Sequence, residues 1–165
     1  MRWARVVAGC LAAACVGAVS PAAADDLVRY RGPVEHIFFH PLMPEPRYTL
    51  HRGTQPAEFN KWMTTAKEFR GIVRQLYAND WVLVDLESLF RVRKDGSLRR
   101  APLRLPKGKK PLVISIDDLN YPQYMIDNHL NSKLVLDDAG EIAARRIRPD
   151  GTKVVSRASE IVPVL

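Results

Sequence analysis

Two aspartates stand side by side at residues 117 and 118, directly after the run Leu112-Val113-Ile114-Ser115-Ile116. Such a run reads as a strand covered on both faces, as in a parallel sheet, and ligands of parallel α/β folds bind at the carboxyl ends of their strands. Side chains alternate along a strand, so consecutive carboxylates at its tip reach different partners: one a metal ion, the other a water or a substrate hydroxyl. That division suits hydrolysis, in which the metal polarises a carbonyl and the free carboxylate takes a proton from the attacking water. On spacing alone, either aspartate serves equally well as an N-cap for the segment that follows.

His36 and His40 are four residues apart, the spacing at which two histidines of a helix share a metal. Ile37-Phe38-Phe39 between them makes this a strand instead. At a rise of about 3.3 Å per residue their Cα atoms lie about 13 Å apart, too far for one zinc ion. His36 is therefore expected to be a packed or edge residue, and His40, at the strand's carboxyl end, to face the site. His51 and His129 fall in loop-like surroundings and read as surface residues.

The elements that must position these groups are legible in outline. Residues 34–40 form the first strand, stopped by Pro41. Pro41, Pro44, Pro46, Gly53 and Pro56 then predict a long loop of the kind that covers a site. Thr65 and Glu68 have capping-box spacing, and Phe69, Ile72, Val73, Leu76 and Tyr77 make one apolar stripe, so a helix follows. Trp81–Val84 is a second strand, and Asp85 caps a short helix. After the turn Lys94-Asp95-Gly96-Ser97 the chain reaches its third strand, Leu112–Ile116, completing a βαβ pattern. Lys133–Leu136, the turn at Asp138-Ala139-Gly140, and Glu141-Ile142 predict a β-hairpin, with another turn at Asp150-Gly151.

The chain opens with Met1-Arg2-Trp3-Ala4-Arg5, the uncharged run Val6–Val19, and small residues at Ala22-Ala23-Ala24. This pattern predicts a signal peptide over 1–24, and hence a secreted or cell-envelope protein. The run is short of the roughly 20 residues that a membrane span needs, so no stable span is expected after cleavage. Cys10 and Cys15 both lie in this leader, and Val7-Ala8-Gly9-Cys10 offers a lipoprotein-type box as a minor alternative. Residues 25–165 therefore have neither disulfide nor thiolate available. They carry 23 Lys and Arg against 18 Asp and Glu, a net charge of +5, which suits an anionic envelope surface. The densest basic run, Lys107-Gly108-Lys109-Lys110, has no interleaved aromatics and reads as a solvated loop, with no nucleic-acid partner.

Leu105–Asp118, ending in Ser115-Ile116-Asp117-Asp118, resembles the first motif region of secreted polysaccharide deacetylases with the NodB homology domain, carbohydrate esterase family four. His40-Pro41-Leu42, Glu68-Phe69 with Leu76-Tyr77, Trp81–Val84, Asn120-Tyr121, Lys133–Leu136 and Asp138-Ala139-Gly140 are similar in order. The resemblance implies a distorted (β/α) barrel with a β-hairpin insertion after the third strand. It makes Asp117 the catalytic base and Asp118 a ligand of a divalent metal, usually zinc, with His40, Asn120 and Tyr121 toward the substrate. The substrate implied is a polysaccharide or peptidoglycan-like glycan. Leu119 stands where the family usually has Gly, and an Asp-Asp-x-Asn-Tyr variant branch is closer. The family's two metal histidines, four residues apart, are not found after Asp118. Residues 25–165 are accordingly expected to be the amino-terminal portion of such a domain, an incomplete barrel that is inactive until those histidines are supplied. The alternative reading is a noncatalytic module that holds glycan through Tyr121, Tyr124 and Trp62, and a third is a structural domain with no glycan role.

Overall fold

The computed structural model describes residues 27–50 and 54–165. The predicted leader and His51 lie outside them. In chain order the elements are β1 (Leu27–Tyr30), β2 (Glu35–Phe39), α1 (Pro46–Thr49), α2 (Thr54–Trp62), α3 (Ala66–Ala78) and β3 (Trp81–Leu83). A 3₁₀ turn (Leu86–Leu89), β4 (Phe90–Val92), β5 (Leu98–Arg100), β6 (Leu103–Pro106) and β7 (Lys110–Ile116) follow. The chain then runs through α4 (Gln123–Asp127), β8 (Asn131–Leu136), β9 (Ile142–Ile147), β10 (Lys153–Ser156) and α5 (Ile161–Val164).

The fold is mixed α/β. Its centre is a parallel sheet ordered β2-β7-β3, and among the described residues it stops at three strands and does not close. Two antiparallel pairs, β1-β6 and β4-β5, and the meander β10-β9-β8 complete the strands. The β8–β9 hairpin forms as its turn residues predict, with Gly140 at a φ of 78° where a side chain would be strained.

Helix α3 begins where its capping box requires. The Thr65 side chain accepts from the Glu68 N–H while Glu68 accepts from the Thr65 N–H. Its stripe lies on one face of the parallel sheet: Phe69 is fully buried with Leu42, Ala66 and Ile161, and Phe39, Val73 and Ile116 pack against that cluster. The rings of Phe39 and Phe69 meet edge to face, their centroids 4.9 Å apart. Tyr77, at the far end of the stripe, is 78% exposed, and Lys109 Nζ sits 5.6 Å from its ring centroid. Asp85 caps the 3₁₀ turn, its carboxylate accepting from the Glu87 N–H.

The predicted loop between Pro41 and Pro56 instead contains α1 and the start of α2. Pro46 opens α1, and Pro56 falls in the first turn of α2. There the missing N–H costs nothing, because the first turn's N–H groups have no intrahelical acceptor. A second cluster forms beneath α2 from Met43, Phe59, Met125 and Leu130.

These contacts rank two substitutions. Phe69→Ala is expected to cost about 3–5 kcal/mol and Thr65→Ala about 1 kcal/mol, read as shifts of the urea midpoint at unchanged m-value. Equal shifts would mean that α3 is not seated on the sheet through Phe69.

Candidate functional site

The ladder between β2 and β7 runs one residue past both strands, because the Asp117 N–H donates to the Phe39 carbonyl at 2.8 Å. In this register, with Phe39 opposite Ile116, His40 becomes the cross-strand neighbour of Asp117 at the carboxyl end of the sheet. Asp118 then turns the chain out of the strand with a φ of 58°, and Tyr121 follows at 49°. Left-handed backbone is tolerated by aspartate but is strained for an aromatic residue. Such outliers cluster in ligand-binding loops and persist only where their surroundings hold them.

Neither aspartate caps the next helix. The N-cap of α4 is Pro122, and no side chain caps it. Both carboxylates and Asn120 are exposed. Asp118 and His40 line a cavity of about 550 Å³ together with Glu58, Phe59, Trp62 and Tyr124. Phe59 and Tyr124 stack with their planes 7° apart, and the Trp62 indole N–H donates to Glu58 at 3.0 Å. The Nδ1 atom of His40 is buried without a hydrogen-bond partner. Asp117, Asn120 and Tyr121 are not among the residues lining this cavity. Glu58 and Phe59 were not singled out from the sequence, although Phe59, Trp62 and Met63 repeat at i, i+3 and i+4 and mark an apolar face.

Tyr121 is buried and points inward. Burial, with the nearby Glu160 carboxylate second, pushes its hydroxyl far above the usual range. The hydroxyl lies against Glu160 without reaching hydrogen-bond geometry. Glu160 is itself fully buried. Its Oε1 accepts from the N–H groups of Leu42 (3.0 Å) and Ile161 (2.9 Å), and its Oε2 accepts from Asn131 Nδ2 (3.0 Å). Burial raises its pKa, and the hydrogen bonds from Asn131, Ile161 and Leu42 oppose the rise.

A second carboxylate fixes the other side of the same loop. Glu45 accepts from Nε and Nη2 of Arg146 (3.0 and 2.9 Å) and from Nε and Nη2 of Arg148 (2.9 and 3.0 Å). The Arg148 hydrogen bond, the largest effect, acts with Arg146 against desolvation to hold Glu45 at about 2.

His36 stays apart from this site. Its Nε2 is hydrogen-bonded to Ser115 Oγ at 2.9 Å on edge strand β2. The pair lies in a cavity of about 740 Å³ on the face of the sheet away from α3, among Val34, Leu86, Leu89 and Val113. This cavity is larger than the one beside Asp118, but it contains neither aspartate.

Among the described residues, no group of three or more His, Cys, Asp or Glu side chains is placed to hold a metal ion. A catalytic zinc takes three protein ligands. Asp118 and His40 offer two donors, so the described residues do not by themselves fit that ion. No described helix is long and apolar enough to cross a membrane. Compared with known proteins, the chain matches no family model, no curated protein and no solved structure.

Two measurements test the clasps. Glu160→Ala leaves three donors without their acceptor and is expected to cost at least about 3 kcal/mol; a smaller loss in urea would mean that water replaces the carboxylate. The depressed Glu45 stabilises the fold above its unfolded value of about 4.5 and loses that contribution as the pH falls toward about 2. The stability gap between the parent and Glu45→Gln should therefore narrow over that window, and a constant gap would contradict the pairing.

Proposed function

We propose that the chain belongs to a secreted, metal-dependent polysaccharide N-deacetylase-like domain that hydrolyses acetamido groups on an envelope or environmental glycan. The carrying observation is the end of β7. Two adjacent carboxylates, neither of which caps the next helix, leave the central parallel strand beside His40, and the second of them, Asp118, lines a cavity with aromatic walls. In this reading Asp117 is the base that takes a proton from the attacking water, and Asp118 is the carboxylate reserved for a divalent metal, usually zinc. His40 lines the cavity toward the substrate, Asn120 is exposed on the loop after the aspartates, and Tyr121 supports that loop from inside. Such a metal would need further ligands besides Asp118 and His40. The three-stranded sheet is the corresponding part of an incomplete (β/α) barrel.

The aromatic walls favour a second reading. Trp62 and Tyr124 are exposed beside the cavity, as in a module that stacks sugar rings without catalysis. Glycan pull-down by protein that binds no metal would favour it.

The chain as given is expected to release no acetate from N-acetylated oligosaccharides. A product extended to include a His-x-x-x-His pair should release it in a zinc- or cobalt-dependent way, and Asp117→Asn should slow that by about 10²–10⁴-fold. If the extended protein released none and bound no metal, the deacetylase reading would fail.

A further inference from the structure

Folding concentrates the chain's positive charge in one place. Residues 91–104 hold Arg91, Arg93, Lys94, Arg99, Arg100 and Arg104 against a single acid, Asp95. Asp95 is committed to its turn, accepting from Ser97 N and Oγ at 2.9 and 2.7 Å. Strand pairing then sets like charges face to face: Arg91 is opposite Arg99 in the β4–β5 hairpin, and Arg29 is opposite Arg104 in the β1–β6 ribbon. Directly opposed like charges are destabilising. Among the described residues none of these four arginines has an acidic partner, whereas Arg146 and Arg148 share Glu45, Arg157 has Asp137 and Lys109 has Asp80.

Arg29, Arg31, Arg99 and Arg100 line a cleft of about 510 Å³ that no carboxylate enters. Arg100 Nη2 donates to the Gly32 carbonyl at 2.8 Å, and Arg104 Nη2 to the Leu27 carbonyl at 2.6 Å. These contacts orient the guanidinium groups without neutralising them. Side chains alternate along the hairpin, so the face opposite Arg91 and Arg99, which Arg100 shares, presents bare apolar surface. Val92 and Leu98 are cross-strand partners, 74% and 64% exposed, and Phe90 is exposed on the same face.

We propose that the β4–β5 hairpin and the adjoining arginine cleft dock onto an anionic phospholipid membrane. Lipid phosphates occupy the cleft, and Val92 and Leu98 enter the headgroup region. Guanidinium groups match phosphate oxygens in a fork geometry that a lysine lacks. An aliphatic tip flanked by long cationic side chains matches the boundary between headgroups and acyl chains. Single-stranded nucleic acid is the poorer match, because its bases need aromatic platforms and the surface beside the cleft is mainly aliphatic. The opposed arginine pairs, costly in the free protein, are relieved when anions come between them. The docking surface is distinct from the Asp117–Asp118 site and does not rest on the deacetylase reading.

The test is co-sedimentation of the protein with vesicles of phosphatidylcholine alone and with about a third phosphatidylglycerol. Binding is expected only to the anionic vesicles and should weaken as salt rises. Arg91→Gln with Arg99→Gln should lower partitioning about thirtyfold, and Val92→Ser with Leu98→Ser should weaken it while the thermal melt stays that of the parent. Lys67→Gln with Arg74→Gln, a charge-matched change on α3, should bind as the parent does. Equal loss in that control would reduce the effect to net charge and overturn the proposal. So would equal binding to neutral vesicles, or capture of single-stranded DNA by protein that leaves the vesicles unbound.

Discussion

A buried carboxylate is costly unless neighbouring donors take its lone pairs. Glu160 meets that condition with donors from two distant segments, Leu42 just after β2 and Asn131 at the start of β8, and from its own neighbour Ile161 at the start of α5. Asn131 also donates to the Ser159 carbonyl at 2.7 Å, so the meander and the C-terminal turn are fixed to each other as well as to the loop. Through this one side chain Ile161 reaches the cluster of Leu42, Ala66 and Phe69. The helix-covered face of the parallel sheet is thereby tied to the antiparallel meander. Tyr121, resting against Glu160, brings the strained loop after Asp118 under the same control. If Glu160 moves, the backbone that aims the aspartate pair loses its support.

Glu45 holds the same loop from the other side by different physics. The guanidinium groups that depress its pKa belong to Arg146 on β9 and Arg148 just past it, with Arg47 as a further, exposed partner at 3.2 Å. Glu160 has only neutral donors around it and is driven upward by burial. Between the two clasps lie Met43, whose N–H donates to the Thr64 carbonyl at 3.0 Å, and Ala66, whose N–H donates to Met43 at 2.9 Å. His40, at the head of this segment, is consequently placed by long-range contacts as well as by its strand.

What was legible in the sequence is what local chemistry dictates. The Thr65 capping box, the Asp85 cap, the apolar run of β7 and the turn at Gly140 each involve neighbours a few residues apart, and each forms as read. The same rules put the aspartate pair at a strand's carboxyl end and His40 beside it. They misread the stretch from Pro41 to Pro56 because proline, a breaker inside a helix, is harmless in its first turn. They gave no sign of Glu160 as a clasp, since its partner Leu42 is 118 residues away. For the same reason the basic residues looked scattered. In the conspicuous run Lys107–Lys110, Lys109 is engaged by Asp80 and Lys110 by the Trp81 ring, while Arg29 and Arg104 meet only after β1 and β6 come together.

The two faces of the parallel sheet bear on how the site is read. One face is covered by α3, as a parallel sheet requires, and such sheets ordinarily have both faces covered. The other carries the hydrogen-bonded His36 and Ser115, and Phe38 on the same side of β2 is exposed. Polar pairs in the middle of a sheet face are poor material for helix packing but suit the lining of a barrel, where inward side chains alternate with outward ones. On the face that α3 leaves free, Ser115 lies one same-face position before Asp117 and His36 two before His40, so the aspartate pair stands at the carboxyl rim of that face.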